Sequence, residues 1–185
     1  MRIYLNRNWN FEGTSVDIPH TVKETPFHYF DESEYQMISN YQKEIDVPKE
    51  WKGKQILLTF EGVAHACEVF LNGEKIGEHR CGYTAFTIKL ENLLYGEKNR
   101  IHVKVDSRET LNVPPFGHVI DYMTYGGIYR DVYLEVKEHV YLEDVFLHSD
   151  LKTVVAEITR NAAVENNICR ISIFQKSLHE WTELC

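Results

Sequence analysis

Short segments in which apolar and polar residues alternate are the feature of this sequence that most restricts its fold. They are Gln55–Phe60, Cys67–Leu71, Tyr83–Leu90, Ile101–Val105 and Asp131–Val136. A period of two residues, with many β-branched and aromatic side chains, is typical of strands that turn one face toward a core. We therefore predict that strands dominate the fold and that few helices compete with them.

A turn signal follows the second of these segments. Asn72-Gly73 is a residue pair that adopts positive φ at both positions and closes a two-residue type I′ hairpin. Several short strands separated by turns, without repeated strand–helix alternation, indicate antiparallel sheets that form a sandwich or a barrel. We interpret residues 1–138 as an all-β domain, a jelly-roll β-sandwich.

The strand pattern begins again after residue 138. Val145–Leu147, Val154–Ile158 and Ile168–Phe174 have the composition of strands. Residues 139–185 are fewer than half of the ~100 residues that a seven-stranded immunoglobulin-like sandwich requires. Because three or four strands do not cover both faces of such a core, we predict that residues 139–185 are the incomplete beginning of a second β domain.

The charge of the chain argues against two classes of partner. Its 28 acidic and 20 basic residues give a formal net charge of -8 at pH 7. Nucleic acids and anionic membranes attract basic surfaces, and the sequence contains no basic cluster that would provide one. We expect no nucleic-acid partner and no membrane partner.

The N-terminus shows no sign of export. The residues after Met1, Arg-Ile-Tyr-Leu-Asn-Arg, lack the apolar stretch of a signal peptide. No segment approaches the ~20 apolar residues that cross a bilayer. With Met1 as the natural start, the expected location is cytoplasmic.

Metal sites and cofactors are not indicated. The four cysteines, Cys67, Cys81, Cys169 and Cys185, form no Cys-x-x-Cys pair, and the nine histidines form no His-x-x-x-His pair. The sequence also lacks the Gly-x-Ser-x-Gly and Gly-Lys-Ser/Thr motifs of serine hydrolases and phosphate-binding loops. We expect no metal and no cofactor, and a disulfide between Cys67 and Cys81 stays an open alternative.

A polar, aromatic segment leads through a Gly-Gly pair into the last strand of the first domain. It contains Asp121, with His118 before it and Tyr122 and Tyr125 after it. Tyrosine rings cover the apolar face of a sugar, and an ionised carboxylate accepts hydrogen bonds from sugar hydroxyls. We predict a carbohydrate site here, with the tyrosines as walls and His118 as a further hydrogen-bonding candidate. The alternative is that Asp121 caps a turn, the tyrosines complete the core and His118 is a surface histidine.

A series of motifs occurs in a fixed order along the first domain. They are Ile18–Thr21, Trp51–Lys54, Leu58–Val63, Ala66–Gly73, Ile76-Gly77, His79, Gly82–Thr84, Phe86 and Gly127–Leu134. Together they resemble the N-terminal sugar-binding domain of glycoside hydrolase family 2, a galactose-binding-domain-like jelly roll. The resemblance covers roughly residues 9–138.

This resemblance implies a division of labour between domains. Enzymes of the family, among them β-galactosidases, β-glucuronidases and β-mannosidases, follow this domain with an immunoglobulin-like domain and then a (β/α)8 barrel that carries two catalytic glutamates. Residues 139–185 then correspond to the first strands of the immunoglobulin-like sandwich. A (β/α)8 barrel needs ~250 residues, so no catalytic residue is expected in this chain and the chain alone is predicted to be inactive.

The resemblance also implies a role for one aspartate. In the family, the aspartate six residues before the glycine of the Gly-Ile-aromatic-Arg motif contacts the terminal sugar, and counting back from Gly127 gives Asp121. A second contact in some β-galactosidases comes from an asparagine. Gln36 occupies that position here, with Asn40 and Asn6 nearby but out of register.

Three functions are consistent with these observations. The chain is the non-catalytic, sugar-binding part of a family 2 exo-glycosidase in carbohydrate metabolism, and its partners are a terminal sugar and the enzyme's own catalytic barrel. Alternatively, it is an independent carbohydrate-binding module, or it is a structural domain that assembles an oligomeric enzyme. A homo-oligomer is compatible with each of them.

Overall fold

The computed structural model describes residues 1–24, 31–114, 116, 125–150, 152–163, 168, 170–172, 174–176 and 181–183. The chain divides into two compact units, Met1–His139 and Val140–Cys185. Within the described residues, regular structure consists of strands and two short 3-10 helices, Glu32–Glu34 and Lys49–Trp51.

The described part of the first unit contains twelve strands. They are β1 (Arg2–Tyr4), β2 (Trp9–Phe11), β3 (Thr14–Val16), β4 (Ile38–Val47), β5 (Gln55–Phe60), β6 (Val63–Ala64), β7 (Ala66–Leu71), β8 (Glu74–His79), β9 (Phe86–Lys89), β10 (Glu97–Asp106), β11 (Gly127–Ile128) and β12 (Val132–Lys137). The second unit contains β13 (Leu142–Ser149), β14 (Val154–Arg160), β15 (Phe174–Lys176) and β16 (Trp181–Glu183).

The strands of the first unit form two antiparallel sheets. One sheet has the order β1-β12-β5-β9, and the other has the order β3-β2-β4-β10-β7-β8, while β6 and β11 form a small separate pair. Buried side chains of both sheets belong to one hydrophobic cluster. The sheets therefore pack face to face, and the predicted all-β sandwich is confirmed.

Alternation along each strand decides which side chains reach this core. In β10, Asn99, Ile101, Val103 and Val105 are buried, whereas the residues between them are exposed or half-buried. The largest fully buried side chains are Trp9, Tyr41, Phe60, Ile56, Leu58, Ile101, Ile128 and Leu134. Truncating such an aliphatic side chain to alanine costs about 2–5 kcal/mol of stability, because burial is lost and a cavity is left.

The hairpin predicted at Asn72-Gly73 is confirmed. Both residues have positive φ, 51° and 92°, and they connect β7 to β8. The Asn72 side chain also joins the hairpin to β10, since its Oδ1 accepts from Arg100 N at 2.8 Å and its Nδ2 donates to Asn99 Oδ1 at 2.9 Å. Asparagine therefore supplies both the turn conformation and two inter-strand bonds.

Other strand predictions differ from the structure at their ends. β5 has the predicted bounds, whereas β9 is shorter than the predicted segment Tyr83–Leu90, because Gly82–Thr84 form a turn. The predicted strand Ile168–Phe174 is wrong over Ile168 and residues 170–172, which lie outside strands, and β15 begins only at Phe174.

In the described part of the second unit, the strands form two antiparallel pairs, β13 with β14 and β15 with β16. All eight residues of β13 are exposed, including Val145, Phe146 and Leu147. Because successive side chains of a strand point to opposite faces, both faces of this hairpin carry apolar residues. A two-stranded hairpin with two uncovered apolar faces is at best marginally stable alone.

Candidate functional site

A close packing contact precedes β11 at Gly126. The Gly126 carbonyl accepts a hydrogen bond from Val22 N at 2.9 Å. A Cβ atom at this position would lie 2.3 Å from Ser107 Oγ and 2.9 Å from Val22 Cγ2. Only glycine therefore lets the backbone approach Ser107 this closely.

The next residue, Gly127, requires glycine for two reasons. Its φ is +115°, which side-chain-bearing residues rarely adopt, and a Cβ atom would lie 2.7 Å from both His20 O and Tyr41 Oη. Gly127 also pairs with Ala64 across the β6–β11 ladder. The two glycines, which we call the Gly-Gly anchor, hold the C-terminal end of the segment that contains Asp121.

Ser107 connects this anchor to the end of β10. It is fully buried, and its Oγ donates to the Ala64 carbonyl at 3.2 Å. Its backbone N–H donates to the Met37 carbonyl at 2.9 Å, just before β4. The anchor therefore rests on a residue whose side chain and backbone are hydrogen-bonded to two other parts of the domain.

Tyr41 and His20 pack against the Gly-Gly anchor at Gly127. Tyr41 Oη lies 2.8 Å from His20 Nδ1, and the His20 backbone N–H donates to the Ile128 carbonyl at 2.8 Å. Burial raises the pKa of the Tyr41 phenol and lowers the pKa of His20, so both side chains are neutral at pH 7.

Phe11 completes this support by packing on both rings. Its ring centroid lies 4.7 Å from that of His20 and 4.8 Å from that of Tyr41. The three rings, from β2, β4 and the segment after β3, thus pack together next to β11. Aromatic pairs at such separations add to the stability that burial alone provides.

The predicted site residues are only partly covered by the described residues. Tyr125 directly precedes the Gly-Gly anchor and is 50% exposed, so it is not part of the buried core. Asp121, Tyr122 and His118 lie outside the described residues. The structure therefore defines the end of the candidate site and one of its aromatic side chains.

His65 is a buried polar residue that sequence reasoning did not single out. It is 2% exposed, and neither ring nitrogen has a hydrogen-bond partner. Nδ1 would lie 3.2 Å from a Cβ atom at Gly82, and the backbone N–H donates to the Asp106 carbonyl. Burial lowers the pKa of His65, while Glu109 and Asp106 oppose that shift. A lone histidine before a strand gives no sequence signal that its ring will be enclosed.

The two asparagines near the family's second sugar contact have structural roles. Asn6 Nδ2 donates to Asp131 Oδ1 at 2.9 Å, and Asn6 Oδ1 accepts from Val132 N at 3.0 Å. Asn40 Nδ2 donates to Glu12 Oε1 at 3.1 Å. These bonds hold strand ends together, and they engage both amide side chains within the domain.

The two described cysteines are free thiols, and no disulfide joins Cys67 to Cys81. Burial raises the pKa of the Cys67 thiol to about 12. Hydrogen bonds from the Thr84 side chain and from the Tyr83 and Thr84 backbone lower the pKa of Cys81. Within the described ranges, no group of three or more His, Cys, Asp and Glu residues is arranged to hold a metal ion.

In the described part of the chain, no helix has the length and apolar character that crossing a bilayer requires.

Comparison with known sequences identifies the first unit. Residues 3–138 match the family described as "Glycosyl hydrolases family 2, sugar binding domain". A β-galactosidase of Thermoanaerobacter pseudethanolicus is 44% identical over 153 residues, which are 81% of this chain and 20% of that protein. A β-glucuronidase of Bacteroides fragilis is 40% identical over 145 residues, 74% of this chain and 21% of that protein. The chain thus spans about one fifth of the length of these relatives.

Solved structures show the same fold. Bacteroides uniformis β-glucuronidase 2, covalently bound to cyclophellitol-6-carboxylate aziridine, superposes with a TM-score of 0.69 at 26% identity, covering 77% of this chain and 18% of that chain. A β-glucuronidase of Ruminococcus gnavus in complex with D-glucuronic acid gives a TM-score of 0.75 at 19% identity, covering 88% and 35%. The sequence match over residues 3–138 and the shared sandwich agree, and the chain belongs to glycosyl hydrolase family 2 through its sugar-binding domain.

Proposed function

We propose that residues 1–138 form the sugar-binding side of an exo-glycosidase pocket, of the β-galactosidase or β-glucuronidase type. Asp121 hydrogen-bonds the terminal sugar, Tyr122 and Tyr125 wall the site, and His118 is a further contact. The chain itself does not break the glycosidic bond. The family match and the names of the relatives, which are β-galactosidases and β-glucuronidases, support this assignment.

The Gly-Gly anchor is the observation on which the proposal depends most. Gly126 and Gly127 are seated against Ser107, His20 and Tyr41, at places where a Cβ atom would collide. Binding through a carboxylate and aromatic rings requires a support that limits their movement, because ordering a loose segment would consume much of the binding energy. A rigid support one residue after Tyr125 and five residues after Asp121 meets that requirement.

Catalysis is assigned to residues of a longer protein. A retaining glycosidase needs an acid/base and a nucleophilic carboxylate ~5 Å apart, held in family 2 by a (β/α)8 barrel. Residues 139–185 then begin an immunoglobulin-like domain that lies, in sequence, between the sugar-binding domain and the barrel. The exposed Phe146 and Leu147 of β13 support this part of the proposal, since further strands would cover them.

A titration of the 185-residue chain tests the sugar-binding role. Methyl β-galactoside and methyl β-glucuronide are added to ¹⁵N-labelled protein, and amide chemical shifts are followed. We expect weak, saturable shifts at Tyr125, Gly126 and Gly127, and no hydrolysis of the corresponding nitrophenyl glycosides. Millimolar affinity is expected because only one side of the pocket is present. Sub-millimolar affinity would favour an independent binding module, and unchanged spectra at every sugar concentration would contradict the proposed role.

A further inference from the structure

Three buried polar atoms in the first unit have no hydrogen-bond partner among the protein atoms. They are Ser39 Oγ and the two ring nitrogens of His65, and within the described residues no other buried side-chain nitrogen or oxygen is left unpaired. Ser39 is fully buried and His65 is 2% exposed. Groups enclosed in this way are almost always hydrogen-bonded, because leaving three of them unpaired would cancel much of the stability of an ordinary domain.

The register of the strands brings the three atoms to one end of the six-stranded sheet. Ser39 of β4 pairs with Val105 of β10. His65 directly precedes β7, which pairs with the other side of β10, and its backbone N–H donates to the Asp106 carbonyl at 2.9 Å. Both residues therefore lie next to the last residues of β10.

The two positions are joined through Ser107. Its backbone N–H donates to the Met37 carbonyl, two residues before Ser39. Its Oγ donates to the Ala64 carbonyl, one residue before His65. Because this hydroxyl uses its proton for that bond, its remaining capacity is that of an acceptor. The unpaired atoms thus flank the residue against which the Gly-Gly anchor packs.

The surroundings of His65 favour a small, neutral ligand. A neutral imidazole has one N–H donor and one acceptor nitrogen on different sides of the ring, so it needs a partner on each side. Nδ1 faces Gly82, which has no side chain to close off this nitrogen, and a Cβ atom there would lie 3.2 Å from it. Burial lowers the pKa of His65, and the charges of Glu109 and Asp106 oppose this shift. Their negative potential disfavours an anion beside the ring.

Water fits these requirements better than a metal ion. A zinc site takes three or four ligands from His, Cys, Asp and Glu, and no group of three is arranged to hold a metal in the part of the chain that the structure describes. Water is small and neutral, and it both donates and accepts. Globular proteins enclose about one water molecule per 27 residues, bound to buried polar groups that would otherwise be unsatisfied.

We propose that this end of the sheet is a binding site for ordered water, held by Ser39 Oγ and by both ring nitrogens of His65. More than one molecule is required, because the two nitrogens point apart. Adjacent strands are ~4.8 Å apart, a separation that one water molecule spans with two hydrogen bonds. The bound water links β4 and β7 to the end of β10, beside Ser107, and this role is independent of sugar binding.

Nuclear Overhauser effects between water and amides test the site in the ¹⁵N-labelled 185-residue chain. Water that stays bound for longer than the protein takes to tumble gives effects of the same sign as those within the protein. We expect them at the amides of Gly82 and Ser39. None is expected at the amide of Val103, which is fully buried in the middle of β10.

His65→Phe is the informative variant for this measurement. Phenylalanine keeps an aromatic ring at the position but offers water no nitrogen, so the effect at Gly82 should disappear while the effect at Ser39 persists. Absence of the effect at either amide in the unchanged chain, or its persistence at Gly82 in His65→Phe, would overturn the site.

The sign of a stability change provides a second test, which does not depend on His65. If water binds Ser39 Oγ, Ser39→Ala removes a hydrogen bond, and the folding equilibrium constant from urea unfolding should fall about 5-fold. If the hydroxyl has no partner, alanine removes an unfavourable buried group and the constant should rise. Ser15→Ala, at an exposed position of β3, is the control and should change the constant less than about 2-fold. An unchanged or increased constant in Ser39→Ala would overturn the site.

Discussion

Tyr41 Oη and His20 Nδ1 lie 2.8 Å apart, and this hydrogen bond joins the middle of β4 to the segment after β3 directly behind Gly127. Both partners are neutral, because burial raises the pKa of the phenol and lowers the pKa of the imidazole. The pair gives the backbone at β11 a support that does not depend on charge. The local rigidity of the candidate sugar site therefore depends on residues far from it in sequence.

Removing the Tyr41 hydroxyl should destabilise the domain. Tyr41→Phe removes the hydroxyl that lies 2.8 Å from His20 Nδ1 and leaves this part-buried nitrogen without that partner, at an expected cost of about 1–3 kcal/mol. Urea unfolding measures this difference. Tyr4→Phe, at a residue that is 55% exposed, is the control and should change stability little. Equal effects of the two variants would contradict the support role.

The Gly-Gly anchor should tolerate no side chain. Gly127→Ala combines the strain of φ +115° with overlap at His20 O and Tyr41 Oη, and we expect a loss of about 2–4 kcal/mol. Gly13→Ala is a matched control, because its φ is +88° but open space surrounds its Cβ position. That control should lose only about 1 kcal/mol. Similar losses at both glycines would show that packing at Gly127 adds nothing.

Acid should weaken the first unit through His65. Its pKa is lower in the folded protein than the ordinary histidine value of 6.5, so the unfolded chain binds more protons below that pH. Stability is therefore fully present above pH 6.5 and is lost as the pH falls toward the folded pKa. Asp106 and Glu109 oppose the shift and reduce the loss. His20 contributes in the same direction.

A non-titrating side chain at position 65 should flatten this dependence. Unfolding free energies of His65→Gln and of the control His139→Gln, an exposed histidine, are compared with the unchanged chain between pH 5 and pH 8, a range of about three units around the ordinary histidine pKa. The slope should decrease only in His65→Gln. An unchanged slope in that variant would mean that His65 is not the group that couples stability to pH.

The thiols of Cys81 and Cys67 should react at different rates. The pKa of Cys81 is lowered by hydrogen bonds from Thr84 and Tyr83, whereas burial raises the pKa of Cys67 to about 12. Because the thiolate is the reactive form, iodoacetamide should alkylate Cys81 in the folded chain and Cys67 only after unfolding. Peptide mapping by mass spectrometry measures both sites. Equal labelling of the two in the native state would contradict the burial of Cys67.

The sequence predicted strands from alternation, as in β7, where every second residue is buried, and from apolar enrichment, as in β5, where five of six residues are buried. β5 has the predicted bounds, and the Asn72-Gly73 turn appears where its φ preference requires it. β4 is not predicted by alternation, although it has ten residues, because Ser39 and Lys43 are polar residues on its inward-facing positions. The local sequence pattern therefore does not predict a strand where tertiary contacts accommodate a polar side chain at a position that usually carries an apolar one.

The candidate site was only partly predictable for a related reason. The Gly-Gly pair marked a passage into a strand, but its partners Ser107, His20 and Tyr41 come from distant parts of the chain. The enclosure of His65 likewise results from pairing between strands that are far apart in sequence. Such contacts produce no local period, so composition and spacing did not reveal them.

Turnover of the complete gene product with Asp121→Asn is the measurement that tests the central claim most directly. Asparagine keeps the shape of the side chain but loses the charge that strengthens hydrogen bonds to sugar hydroxyls. We expect kcat/KM for a nitrophenyl β-galactoside or β-glucuronide to fall about 100-fold, since a charged hydrogen bond contributes roughly 1.5–3 kcal/mol. Asp46→Asn, on the exposed side of β4, should leave turnover unchanged. An Asp121→Asn enzyme with unchanged kcat/KM would contradict the assignment of this domain to the substrate pocket.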